Sequence, residues 1–328
     1  MARGGRKKSH GEFWEESLDF FVENGRLLRE IRPECTDEYN VRSILKLLCI
    51  KYWAGIFSPI VHGQLRKLGY RIAYVDSMAG SGVTTTKKSD PLSGSCPSVM
   101  LSAAKHNCPF DLVIANEINP QKADVLEERI RQKVQTSEEL RVFKKNILDA
   151  SNDIINIIHE RRTISYMVID PEGFKGMNWS ALKPLLSCKG DAMITWFEHE
   201  ALRLRGAALS QKEFPQAKAD RQKLDDLFGP ETWINATTGP ELTAIFINRV
   251  LRECGKAAFE KVHIRGPDGK YIVMILFVGN FDNCHKLVKD WRINIENRIN
   301  SDHGSDISSL LDVKAGRLAT LSDPRWSK

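Results

Sequence analysis

From residue 71 onward, short apolar runs alternate with stretches of helical spacing, and this rhythm leaves few folds open. Strands are expected at 71–75, 111–115, 141–144, 166–169 and 192–196, with helices between them at 97–105, 120–135, 150–161 and 179–186. Strands joined by helices form right-handed βαβ units, so the sheet is mainly parallel and covered on both faces. A further helix is expected at 242–253. The rhythm then changes. Runs at 259–265 and 271–278 flank Gly-Pro-Asp-Gly-Lys at 266–270, and those turn residues make a hairpin rather than another crossover. The expectation is an α/β domain whose seven-stranded, mainly parallel sheet ends in an antiparallel hairpin.

Helical spacing also marks 13–29 and 41–68 ahead of the first strand, and 283–300 after the hairpin. Residues 1–10, with Arg3, Arg6, Lys7 and Lys8, read as a flexible basic tail. Residues 11–70 read as helices packed on the core, 71–300 as the Rossmann-like domain, and 301–328 as a peripheral tail. A segment at about 201–240 breaks the alternation and reads as a helical insertion.

Four strand ends carry candidate site residues, because open α/β sheets bind ligands beyond the carboxyl ends of their strands. The first strand ends at Asp76, and Met78, Gly80 and Gly82 follow in Asp-Ser-Met-Ala-Gly-Ser-Gly. The acid can receive the ammonium of S-adenosylmethionine (SAM). The glycines let the backbone approach its carboxylate and sugar, and backbone N–H groups there can bind an anionic group. The nicotinamide fingerprint G-x-G-x-x-G fails because Thr85 stands at the third glycine position, and no P-loop can be aligned. The closing hairpin also favours the class I methyltransferase fold over the usual nicotinamide-binding one.

Glu117 ends the second strand, where an acid can accept hydrogen bonds from both ribose hydroxyls. A helix-start acid favoured by the dipole is the plainer reading. After the third strand, Asn146 and Asp149 both qualify to read an adenine amino group, and Asp149 qualifies equally as the cap of a helix beginning at 150. Asp170-Pro171-Glu172-Gly173 follows the fourth strand. Asp170 can orient a substrate group or accept a proton, and Glu172 is its companion candidate. The version of this turn used on base amino groups, D-P-P-aromatic, is not present.

Glu198, His199 and Glu200, with Arg203 nearby, invite a metal or acid/base reading. A surface turn or an internal Glu–Arg pair is the stronger expectation, and no metal is assigned. The insertion holds Arg203, Arg205, Lys212, Lys218, Arg221 and Lys223 against few acids. It reads as a nucleic-acid contact surface, through Arg203, Arg205, Lys212 and Lys218, or as a solvated helical face. The net charge of +6 allows an RNA or DNA partner without requiring one. Seven scattered cysteines include no C-x-x-C pair. The N-terminus lacks the apolar core of a secretory signal, and no apolar run reaches the roughly 18 residues of a membrane span. A cytoplasmic protein without a membrane partner is expected.

In motif order the chain resembles the three-Cys-motif partner (TcmP) family of methyltransferase-like proteins over about residues 40–300. The matching positions are Lys46 and Tyr52, then Tyr74, Asp76, Ala79, Gly80 and Gly82. Gly94, Ser95 and Pro97 follow, then Glu117 and Asn119, Asp170, Pro171 and Gly173, Trp179 and Arg203. Met78 replaces the aromatic of F-A-G, Cys96 interrupts G-S-P, and Glu172 replaces the aromatic of D-P-F-G. The resemblance implies SAM binding through Asp76, Met78, Gly80, Gly82, Glu117 and Asn119. It also implies a partner with a three-cysteine motif that looks like a radical-SAM iron–sulfur protein. The leading expectation is a SAM-dependent methyltransferase. A non-catalytic nucleic-acid or partner-binding module on the same fold is the alternative, and Thr85 and the hairpin disfavour a nicotinamide enzyme.

Overall fold

A computed structural model describes residues 10–38, 41–85, 90–134, 136–210, 215–265, 270–279 and 283–299. The expected basic tail up to residue 9, the 266–269 turn and the tail from 300 lie outside them. The main sheet contains β2 (Arg71–Asp76), β5 (Leu112–Asn116), β6 (Glu139–Phe143), β7 (Thr163–Ile169), β8 (Gly190–Trp196), β9 (Ala258–Arg265) and β10 (Tyr271–Val278). Their order is β6-β5-β2-β7-β8-β10-β9. The first five are parallel, and β10 runs antiparallel between β8 and β9. This is the Rossmann-like class I methyltransferase topology.

Strand alternation sends side chains to two cores. Ile72 and Tyr74 of β2 face one, with α1 (His10–Arg29), α2 (Val41–Gln64), α3 (Ser95–Lys105) and α10 (Cys284–Ile299). Ala73 and Val75 face the other, with α5 (Ile147–Glu160), α6 (Trp179–Leu186), α7 (Glu198–Ala208), α8 (Pro215–Phe228) and α9 (Gly239–Cys254). Within α2, Arg42–Gln64 is long and apolar enough to cross a membrane by length and composition, yet it packs as a core helix with Ile44, Leu48, Trp53 and Ala54 buried.

Expected and observed boundaries differ where caps or buried polar residues decide them. The helix expected from 150 begins at Ile147, because the Asn146 side chain accepts from the Leu148 N–H. Asp149 is therefore inside the first turn and is not the cap. β7 begins at Thr163, where Thr163 and Ser165 are buried despite their polarity. The helix expected over 120–135 is α4 (Pro120–Arg129), continued by a π-helical turn at Ile130–Val134.

A second, three-stranded sheet has no counterpart in the sequence reading. It joins β1 (Asp37–Glu38), β3 (Val83–Thr85) and β4 (Leu92–Ser93) and lays the N-terminal segment along the glycine turn. Arg129 anchors that segment. Its side chain is fully buried. Its guanidinium donates to the carbonyls of Leu28 in the last turn of α1 and of Ile31 and Arg32 just beyond it, at 2.9–3.2 Å, and to the Ser81 carbonyl at 2.8 Å. Replacing Arg129 by Met should cost about 3 kcal/mol or more in urea denaturation, since each buried carbonyl left without a donor costs about 1–3 kcal/mol.

Candidate functional site

The loops after β2, β5, β6 and β7 open into one cleft of about 840 Å³, with β1 and the start of α2 completing its wall. It lies at the topological switch point, where β5 and β7 leave β2 on opposite sides. Met78, Gly80, Gly82, Glu117, Asn119, Asn146, Asp170 and Glu172 all line it.

Gly80 and Gly82 take φ of 62° and 79°, a region open to glycine at little cost. A Cβ on Gly80 would meet Asp37 Oδ2 at 2.6 Å, and one on Gly82 would meet Leu126 Cδ1 at 2.6 Å. Three successive amides of the turn are already engaged. Ala79 N–H donates to the Asn116 carbonyl at 2.9 Å, Gly80 N–H to Glu117 Oε2 at 3.0 Å, and Ser81 N–H to Asp37 Oδ2 at 2.7 Å. The expected anion cradle at Gly80 and Ser81 is thus filled by the protein's own carboxylates. Asp37 in turn binds Lys122 Nζ at 2.6 Å.

Asp76 does not face the cleft. It is 0% exposed. Its Oδ2 accepts from Tyr74 Oη at 3.0 Å and Ser95 Oγ at 2.5 Å, and its Oδ1 from Met78 N–H at 3.4 Å. The expectation that Asp76 itself receives an ammonium is corrected: Ser95 lines the cleft in front of it. Burial pushes the Asp76 carboxyl up to about 6. The Ser95 and Tyr74 hydroxyls oppose that rise, and the Asp170 charge adds to it.

Beyond the turn, Glu117 Oε1 accepts from Asn119 N–H at 2.8 Å. Each Glu117 oxygen thus holds one backbone N–H, and a carboxylate oxygen can accept a second donor. Beside it stand Ile118 and Leu148, 66% and 41% exposed, both lining the cleft. Asn119 and Asn146 face the same space as helix caps, Asn119 accepting from the Gln121 and Lys122 N–H groups. Asp149 is exposed on α5 and is not among the lining residues.

At the opposite end, Asp170 accepts from Lys46 Nζ through both oxygens, at 2.8 and 2.7 Å. Glu172 is exposed at the rim. Five carboxylates (Asp37, Glu38, Glu117, Asp170, Glu172) line the cleft against Lys46, Lys122 and Lys145. Each lysine is ion-paired, to Asp170, Asp37 and Asp153 respectively. The balance is negative.

The Glu198–Glu200 run separates. Glu198 is buried and accepts from Thr243 Oγ1 at 2.6 Å and Tyr271 Oη at 2.7 Å. His199 is exposed against the Tyr271 ring, and Glu200 accepts from Phe174 N–H at 2.7 Å. Neither the surface turn nor the internal pair with Arg203 describes this run. No group of three His, Cys, Asp or Glu among the described residues could hold a metal ion. Arg203 and Lys218 are exposed on α7 and α8, while Arg205 donates to the Ile234 carbonyl at 2.6 Å. None of the three lines the cleft, and Lys212 lies outside the described residues.

The sequence reading missed Asp37, Ile118, Leu148 and Arg129 as site-forming residues, and placed Lys46 and Ser95 only as motif matches. An apolar residue directly after the strand-end acid is a usable signal for Ile118; Asp37 leaves none in a segment that reads as loop.

No protein-family model matches the chain, and none of the curated proteins matches it. Among solved structures, it is similar to an O-methyltransferase from Bacillus cereus in complex with SAH, at 12% identity and a TM-score of 0.36, over 83% of this chain and 92% of that one. It is also similar to the magnesium protoporphyrin IX methyltransferase of Synechocystis PCC 6803 with bound SAM, at 8% identity and a TM-score of 0.38, over 84% and 100%. Likenesses this remote carry nothing further, and the strand order stands without them.

The buried Asp76 sets a pH dependence. Its folded value of about 6 exceeds the ordinary 3.8, so the folded protein keeps this proton after the unfolded chain has lost it. The Asp76 contribution to stability is therefore fullest below about pH 4, falls as pH rises toward 6, and is level above that. In Asp76→Asn the decline should be shallower by about 2–3 kcal/mol, at about 1.4 kcal/mol per unit, in urea melts across that range. Asp191, also buried and raised to about 6, contributes with the same sign.

Proposed function

We propose that the cleft binds SAM and that the chain is a SAM-dependent methyltransferase. The observation that carries this reading is the wall formed by Glu117, Ile118 and Leu148. A carboxylate with acceptor capacity for two ribose hydroxyls stands beside two exposed apolar side chains, where an adenine ring would shed water. The negative balance of the cleft supports the same choice. A pyrophosphate would add charge of the sign already in excess and would find the Gly80 and Ser81 amides engaged, whereas a sulfonium with an ammonium suits these surroundings.

Bound there, SAM supplies an electrophilic methyl group. Ser95, backed by Asp76, offers its hydroxyl oxygen to the amino-acid end. Asp170 accepts the hydrogen bond of an acceptor N–H or O–H and can take its proton, while Lys46 holds the carboxylate in place. Positioning of the acceptor provides much of the rate in such a transfer. The resemblance to three-Cys-motif partner proteins belongs to this reading, and so does an iron–sulfur partner protein. A second reading, a binding module without transfer, is favoured by Lys46 occupying both Asp170 oxygens and by Glu172 at the rim.

Calorimetric titration of SAM should give saturable heat and NAD none; no heat with SAM from folded protein sinks the proposal. Glu117→Ala and Ile118→Asp should each weaken SAM by about tenfold, or about 1.4 kcal/mol. Asp170→Ala should leave SAM affinity within about threefold, since uniform binding and acceptor positioning are separable.

A further inference from the structure

Outside the cleft, the corner where α7 meets β9 and β10 carries rings and cations that the cofactor reading does not use. Tyr271 opens β10, and the His199 and His263 rings both pack against its ring in edge geometry, with centroids 4.5 and 5.3 Å away at 63° and 62°. Its orientation is fixed from beneath. Tyr271 Oη donates to the buried Glu198, which also accepts from Thr243, and Thr243 Oγ1 accepts from Trp196 Nε1 at 2.8 Å. A ring held this way loses little side-chain entropy when something stacks on it.

Cations continue the strip in both directions. On β9, Lys261, His263 and Arg265 alternate outward with the buried Val262 and Ile264, and Arg265 pairs directly across from Tyr271. On α7, Arg203 lies one turn beyond His199 on the same exposed face. Lys261 Nζ is 3.9 Å from Glu198 Oε1, so its charge is partly offset and the exposed Arg203 and Arg265 carry most of the field. Glu260, on the other face of β9, is paired with Arg292. The strip adjoins the cleft through Phe197, which lines it and precedes Glu198.

We propose that this strip docks single-stranded nucleic acid, with bases stacked on the His199, Tyr271 and His263 rings and phosphates on Arg203 and Arg265. Ring faces between cations are what a splayed strand requires. An acidic peptide would use the cations and leave the rings idle. The inference names the acceptor class for the transfer proposed above and rests on that reading for the methyl step alone, since docking needs no cofactor.

The test is fluorescence anisotropy of labelled oligo(U) and oligo(dT), without SAM, across a salt series, with a poly-glutamate peptide as competitor. The wild-type chain should bind single strands, and the two sugars separate an RNA from a DNA ligand. Arg203→Glu/Arg265→Glu should weaken binding by about tenfold or more and flatten the log–log salt slope by about 1.4, at about 0.7 per phosphate contact. His199→Ala/His263→Ala should weaken it by about tenfold with the slope unchanged, because stacking is not ionic. Both variants should titrate SAM as the wild type does, which separates failure of the strip from failure of the cleft. The proposal is overturned if both variants bind the oligonucleotides like the wild type, or if poly-glutamate binds the strip and single strands do not.

Discussion

The buried guanidinium of Arg129 joins the parts on which the cleft depends. It donates five hydrogen bonds to main-chain carbonyls, four of them to Leu28, Ile31 and Arg32 and one to Ser81 in the glycine turn. A cation fully removed from water is costly unless its donors are satisfied, and here all three guanidinium nitrogens donate to backbone. The consequence is geometric. With the chain beyond α1 tied to the turn, β1 pairs with β3, and the Asp37 carboxylate accepts from the Ser81 N–H while Arg129 holds the Ser81 carbonyl. The turn is gripped at Ser81 from both its peptide groups.

That grip determines the electrostatics of the cleft. A glycine turn with free amides would invite an anion. Here the Gly80 and Ser81 amides are held by Glu117 and Asp37, and the five carboxylates of the lining outnumber three lysines that are themselves paired. The same sequence element that resembles many nucleotide-binding turns is thereby turned away from phosphate. Asp76, the acid at the head of the turn, lies one layer back, where it accepts from the Ser95 hydroxyl.

Much of the fold was legible from spacing. β10 has its expected bounds, the other strands of the main sheet differ by up to three residues at an end, and the hairpin was read from its turn chemistry. What spacing could not show was the small sheet of β1, β3 and β4, because two- and three-residue strands leave no periodic trace. In the site, Glu117 and Asp170 stand at strand ends as expected, since a strand end projects into the cleft whatever surrounds it. Asn146 and Asp149 were equivalent in sequence and separate in space, because the cap position faces the cleft and the first turn does not. Arg205 reads as a surface cation and is engaged at the Ile234 carbonyl.

By itself, the sequence determined a parallel sheet closed by a hairpin and a set of strand-end acids, because both follow from local periodicity and local turn chemistry. Only the tertiary structure decided which of those acids meets the cleft, that Lys46 of α2 pairs with Asp170, that Asp37 closes the glycine turn, and that His199 and His263 pack against Tyr271. Each of those contacts joins residues at least 44 positions apart except His263 with Tyr271. Arg129 is the clearest case. In its helix it reads as one more solvated cation among Glu127, Glu128 and Arg131, and only the docking of a chain about 100 residues earlier, with the loss of water that docking imposes, makes it a buried clamp.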